Sequence, residues 1–234
     1  MFEGSSKFMS QQDDEKKLAG DASLRYVQDG QVVGLGTGST AKFAILALGE
    51  KVRQGLKIRG IPTSVRSRDL ATELGIPLTT FEEVQTIDVT IDGADEFDPH
   101  LNLIKGGGGA LLREKIVASA TKKLVIVTDA SKQVPVLGKF PLPVEVIKFA
   151  QALVAREIAA LGAKPELRKD EEGKPYLTDE GNHILDCRFG QIPDPAALAL
   201  KLSQIPGIVE HGLFVGMASS VIMAKGTEVI EIKR

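Results

Sequence analysis

Short apolar segments alternate with helical patterns along the first half of the chain, and no other feature restricts the fold as strongly. Gln31-Val-Val-Gly-Leu-Gly36, Lys57 to Ile61, Leu78 to Phe81, Thr86 to Ile91 and Leu124-Val-Ile-Val-Thr128 read as strands. The first and last are near-continuous apolar runs, the pattern of strands covered on both faces. Helices are expected over Asp14 to Val27, Ala41 to Val52, from the Pro62-Thr-Ser64 loop through Leu74, and over Ala110 to Thr121. Ser39 or Thr40 is placed to cap the second of these. Strand–helix alternation of this kind predicts an α/β fold with a parallel sheet.

Near Val136 the texture changes. Pro135, Pro141 and Pro143 interrupt the chain, and Val144 to Ile147 then reads as a strand. A helix over Gln151 to Leu161 ends at Gly162. Glu166 to Lys169, Pro175 to Thr178 and Ile184 to Arg188 look like hairpin strands, and Pro195 to Gln204 like a helix. This order suggests a second, smaller α+β unit of ferredoxin-like type. Gly212 to Ala218 and Thr227 to Ile232 are expected to rejoin the first sheet. The predicted organisation is therefore a parallel-sheet domain of residues 1–137 and 211–234, with a small α+β domain at 138–210.

Composition narrows the function classes. The net charge of −2 provides no global basic field for nucleic acid or an anionic membrane, so neither is expected as a partner. Any anion must be held by local groups. Cys187 is the only cysteine, which excludes an internal disulfide and suits a reducing compartment. No run approaches the length of a membrane span. Met1 to Lys17 is polar and lacks the apolar centre of a signal peptide, and Met1 to Phe8 reads as an extension ahead of Met9. A cytoplasmic enzyme is the expectation.

Three motifs carry chemistry. Gly34-Leu-Gly36-Thr37-Gly38-Ser39-Thr40 lies between a strand and a helix. Glycines let backbone approach a ligand, and a helix N-terminus offers free N–H groups and partial positive charge, so the segment suits a phosphate. A dinucleotide site would want glycine at position 39, where Ser39 stands, and an acid after the next strand, where Ile61-Pro-Thr-Ser64 has none. No Gly-Lys-Ser/Thr closes a P-loop. A phosphate monoester fits better than a nucleotide.

Asp92-Gly93-Ala94-Asp95 follows a buried strand, where ligands of open α/β sheets sit. Its carboxylates could bind sugar hydroxyls or move their protons, although Asp-Gly is also an ordinary turn pair. His100, His183 and His211 are scattered without ligand spacing, so no metal is expected. Lys105-Gly106-Gly107-Gly108-Gly109 precedes Glu114. Successive glycines are costly as scaffold but suit a backbone wrapped around a ligand. Lys105 can stabilise an oxyanion and Glu114 can carry a proton. Glu114 could also be a carboxylate favoured by its helix N-terminus, and Lys132 a surface lysine or a phosphate contact.

Taken together, Val33-Gly-Leu-Gly-Thr-Gly-Ser-Thr40, Ile91-Asp-Gly-Ala-Asp-Glu96, Ile104-Lys-Gly-Gly-Gly-Gly-Ala-Leu-Leu-Arg-Glu-Lys115, Asp129-Ala-Ser-Lys132 and Leu137-Gly-Lys-Phe-Pro-Leu-Pro-Val144 resemble the type A ribose-5-phosphate isomerases. The resemblance runs from about Asp14 through Gly212-Leu-Phe214. It implies interconversion of D-ribose 5-phosphate and D-ribulose 5-phosphate in the non-oxidative pentose phosphate pathway, without a cofactor. It also implies that the larger domain is a Rossmann-like catalytic domain beside a smaller α+β domain, and that the chain forms a homodimer or dimer-based tetramer. Glu114 would be the general base, and Asp92 and Asp95 would hold hydroxyls and assist ring opening. Lys105 and the Gly106–Gly108 amides would stabilise the enediolate. Thr37 to Thr40, Lys132 and Lys16 would complete substrate binding. Gly109 departs from the alanine that many members carry. Hexosamine-phosphate deaminases and sugar-phosphate-sensing regulators share similar Gly-Thr-Gly-Ser-Thr loops. A regulator would need a DNA-binding or partner module, for which there is no basic helix-turn-helix before Gly34.

Overall fold

The computed structural model describes residues 10–234, so the reading of residues 1–8 as an extension lies outside the described residues. The chain opens with helix α1 (Gln11–Ser23), capped by the Ser10 side chain. Strand β1 (Val32–Leu35) leads through the glycine motif into α2 (Ser39–Arg53), then β2 (Arg59–Pro62), α3 (Val65–Glu73) and β3 (Ile87–Asp92). Two short strands, β4 (Glu96–Phe97) and β5 (Leu103–Ile104), precede α4 (Leu111–Ser119) and the long β6 (Thr121–Asp129). There follow β7 (Leu142–Val146), α5 (Gln151–Ala160), β8 (Lys164–Leu167), β9 (His183–Arg188), α6 (Pro195–Ser203) and β10 (Ile208–His211). The chain closes with β11 (Leu213–Phe214), β12 (Ser220–Lys225) and β13 (Glu228–Lys233).

A six-stranded sheet in the order β13-β12-β6-β3-β1-β2 forms the centre. All its strands are parallel except the edge strand β13. Alternate residues of one strand enter different cores, which explains the apolar runs. Val33, Leu35, Val125, Val127, Ile222 and Ala224 face helices α1 to α3. Leu124, Ile126, Val221 and Met223 face the opposite side, where Phe97, Leu103 and Phe214 pack. The chain goes from β1 out to β2 and returns to β3 on β1's other side. This reversal opens a crevice beyond the carboxyl ends of β1 and β3, the place where such sheets hold ligands.

A four-stranded antiparallel sheet, β10-β7-β9-β8, carries α5 and α6 in the β-α-β-β-α-β order of ferredoxin-like units. A three-stranded sheet, β11-β5-β4, lies at the back of the crevice. Among the described residues no helix is long and apolar enough to cross a membrane.

Several expected elements differ. Leu78 to Phe81 is no strand: Leu78 makes one bridge to Gly60, and the chain turns at once as the Glu83 and Val84 amides donate to the Thr80 carbonyl. Pro175 to Thr178 likewise makes a single bridge, Lys169 to Pro175, because Pro175 lacks an N–H and Thr178 already begins the next turn. Gly212 to Ala218 does not rejoin the large sheet. Its Leu213–Phe214 pairs with β5, and it is β12 that lies beside β6. Neither Ser39 nor Thr40 caps α2. Gly38 holds the cap position at φ 103°, without a side-chain cap bond.

Candidate active site

The crevice gathers residues from the carboxyl ends of β1, β3, β5 and β6. Its lining comprises Thr37 to Thr40, Gly93 to Asp95, Lys105, Gly106, Gly108, Glu114 and Lys132. Of the expected site residues, Asp92 is buried behind this lining and Gly107 lies exposed beside it. Missing the side-chain cap leaves the first α2 amides free at the cleft, where an anion would be stabilised by them and by the helix dipole. Gly38 and Ser39 are exposed, whereas Thr37 and Thr40 are buried. The Thr37 hydroxyl bonds the hydroxyls of Thr63 at 2.7 Å and Ser64 at 2.8 Å, so it anchors the loop to the start of α3. Gly36 is required by close approach: a Cβ there would collide with the Asp92 carboxylate.

Lys105 is the hub. Its backbone N–H donates to the Gly212 carbonyl, and its side chain, 2% exposed, runs beneath the cleft. Nζ donates to the Gly93 carbonyl at 2.6 Å and lies 3.0 Å from Asp92 Oδ2 and 3.2 Å from Glu114 Oε1. Burial alone would lower the ammonium's pKa, but Asp92 and Glu114 outweigh it and hold the group at about 12. Lys105 is charged at any working pH. Asp92 is 1% exposed, and its Oδ1 accepts from the amides of Thr37 at 2.9 Å and Gly93 at 2.7 Å. It ties the β1 and β3 ends together and faces Lys105 rather than the open cleft.

Glu114 lies in the first turn of α4, 4% exposed. Its Oε1 is paired with Lys105, while Oε2 is buried without a partner. Burial pushes its pKa up to about 8 against the pull of Lys105, with Asp92 and Asp95 pushing the same way. A carboxyl so tuned can both accept and release a proton near neutrality. Asp95 faces the cleft and accepts from the Gly107 amide at 2.7 Å; burial raises its pKa too. Of the three glycine amides expected to face an oxyanion, that of Gly107 donates to Asp95 in this structure. Lys132 reaches the lining from the short turn Ala130–Lys132 after β6. Lys16 pairs with Asp13 at 3.6 Å and is not part of the cleft lining.

The chain has relatives among known proteins. The sequence model of ribose 5-phosphate isomerase A (phosphoriboisomerase A) matches residues 59–228. The chain belongs to that family. It is 52% identical over 227 residues to ribose-5-phosphate isomerase A of Parvibaculum lavamentivorans, covering 94% of this chain and 98% of that one. The isomerase of a Synechococcus strain is also 52% identical, with 97% and 99% covered. A solved D-ribose-5-phosphate isomerase in complex with phospho-erythronic acid superposes with a TM-score of 0.93 at 40% identity, over 97% of this chain and all 100% of the other. The enzyme of Plasmodium falciparum gives 0.91 at 36% identity, over 95% and 99%.

Some residues of the isomerase site have no local signal. Glu96, the last residue of the acidic motif, is buried and accepts from the amides of Gly138, at 2.8 Å, and Phe140. Two family motifs therefore occur together because one holds the other. Arg66 donates to the Gly108 carbonyl and Arg168 to those of Gly106 and Gly107, both from outside any recognised motif. Gly109, at φ 81°, abuts Tyr176, whose hydroxyl fills the space a Cβ would need. That contact leaves no room for a side chain at this position.

Proposed function

We propose that the chain interconverts D-ribose 5-phosphate and D-ribulose 5-phosphate through an enediolate, with Glu114 as proton carrier. The observation that carries this reading is the buried, unpartnered Glu114 Oε2 beside the charged Lys105. The substrate phosphate lies at the α2 N-terminus among Gly38, Ser39 and Thr40, with Lys132 adding charge. Asp95 takes the anomeric hydroxyl's proton as C1=O1 forms and gives it to the ring oxygen as the bond from C1 to that oxygen breaks. Glu114 Oε2 then takes the proton from C2 of the aldose, and the electron pair becomes the C1–C2 double bond. Negative charge gathers on O1, where Lys105 and the Gly106 and Gly108 amides stabilise it. The O2 proton passes to O1, and Glu114 returns its proton to C1, leaving the ketone at C2. Asp92 serves this scheme by holding Lys105 and the β1–α2 loop.

A base with a pKa raised to about 8 works only when deprotonated, so kcat/KM is expected to climb as pH rises toward that value and level off above it. A flat profile between pH 6 and 9, read as ketose formation from ribose 5-phosphate, would reject Glu114 as the base. Ser39→Ala and Lys132→Ala are expected to raise KM with little change in kcat, since both would contact the phosphate and not the reacting carbons. A large fall in kcat at constant KM in both variants would move the phosphate elsewhere.

The assembly we propose is a homodimer or a dimer-based tetramer. Phe149 is fully exposed and Ile147 and Leu153 are 42% and 49% exposed, an apolar surface for a second copy. Sedimentation would give the mass. We read residues 138–210 as the smaller unit, although its core also takes Ile104, Val134 and Leu213. The buried, unpaired Cys187 fits the cytoplasm as compartment.

A further inference from the structure

Glycine loses more backbone freedom on ordering than any other residue, so residues 106–109 have little intrinsic preference for one conformation. A loop that presents amides to an oxyanion has to be held, because misplacement by ~1 Å can cost on the order of 10²-fold in rate. The holding group comes from the four-stranded sheet. Arg168, just after β8, is gripped by Asp186 of β9: Nε lies 2.9 Å from Oδ2 and Nη2 2.5 Å from Oδ1. The remaining nitrogen, Nη1, donates to the carbonyls of Gly106 at 2.8 Å and Gly107 at 3.2 Å. The side chain is only 13% exposed and lies 5.9 Å from the ring centre of Tyr176, the residue packed on Gly109.

A trans peptide points its C=O and N–H to opposite sides. Holding the Gly106 carbonyl on Arg168 therefore sends the Gly107 N–H the other way, to Asp95 Oδ2 at 2.7 Å. Holding the Gly107 carbonyl likewise aims the Gly108 N–H at the cleft that Gly108 lines. We propose that Arg168, carried on Asp186, is a positioning residue of the isomerase reaction, setting the peptide planes of the glycine loop and, through Gly107, the Asp95 carboxylate. The inference rests on the isomerase function proposed above. Lysine cannot replace it, since only a planar fork grips one carboxylate along one edge and still offers a donor on the other side.

The test compares Arg168→Lys, Arg168→Ala and Asp186→Asn with the parent. Three readouts are taken: turnover of ribose 5-phosphate, and affinity for phospho-erythronic acid and for inorganic phosphate. The parent's own turnover in the same assay separates a failure of the functional reading from a failure of this one. The alanine and lysine variants are expected to lose about 10–100-fold in kcat. Their affinity for phospho-erythronic acid, whose carboxylate mimics the enediolate's charge, falls in parallel. Affinity for inorganic phosphate, bound at the α2 N-terminus and not on the loop that Arg168 holds, stays within about twofold, and added guanidinium restores part of the alanine variant's rate. Asp186→Asn falls in between. Should Arg168→Ala fail to fold, the lysine and asparagine variants carry the comparison. A lysine variant within threefold of the parent, or equal weakening toward both anions, overturns the proposal.

Discussion

Replacing Glu114 by Gln is expected to lower kcat by at least about a hundredfold, equivalent to about 3 kcal/mol of barrier. The amide keeps the size of the side chain and can still face Lys105, but it cannot take a proton from carbon. Exchange of solvent deuterium into C2 of the aldose should vanish in step, because exchange uses the same base. Stability follows a separate sign. The folded pKa, about 8, lies above the ordinary 4.5, so the carboxyl's stabilising contribution is complete below 4.5 and is lost as pH rises through 8. The glutamine variant bears no such loss. Its melting temperature should rise relative to the parent's between pH 5 and pH 8 and hold that gain at pH 9. Isomerisation within tenfold of the parent rate would leave Glu114 as a helix-terminus carboxylate and pass the proton to Asp95 or Asp92.

Lys105→Met is expected to be the most damaging single change, acting on both rate and fold. The enediolate loses its cation, and losses for a single preorganised donor already run to about 10²–10³-fold. Among the described residues, the fold loses the one positive charge paired with buried Asp92 and Glu114. Breaking a buried pair by removing one partner costs about 3–5 kcal/mol, or roughly 6–20 °C in melting temperature for a chain of this size. The deficit should shrink as pH falls below 8, because protonation of Glu114 removes one of the stranded charges. Denaturation of parent and variant at pH 6 and pH 9 reads this directly. Equal stability of the two at pH 9 would mean that Lys105 is not the counter-charge.

The parts of this molecule that could be read in the sequence are those built from neighbours along the chain. Val33-Gly-Leu-Gly-Thr-Gly-Ser-Thr40 contains its own strand end, turn and helix start, and Asp92, Lys105 and Glu114 each sit at such a junction. What eluded sequence reasoning is long-range. The carboxyl-terminal stretch from Gly212 holds one apolar run after another, and nothing local tells which of them lies beside β6; the pairing of Ser220 with Val125 decides it. The same holds for Arg168, whose partners are glycines far upstream. The missing α2 cap was illegible for another reason: a serine beside a helix start looks the same whether it satisfies the amides or leaves them for a ligand.

The position of β12 between β6 and β13 has a consequence for how the molecule is made. Every catalytic group named here, from Thr37 to Lys132, leaves the ribosome while β6 still has one side of its backbone unpaired. Synthesis then has to produce the whole four-stranded sheet before residues 220–225 arrive to close that side. For that interval the nascent chain carries an open, apolar strand edge of the sort that recruits other chains. Truncations ending between residues 140 and 215 should accordingly aggregate rather than persist as soluble fragments.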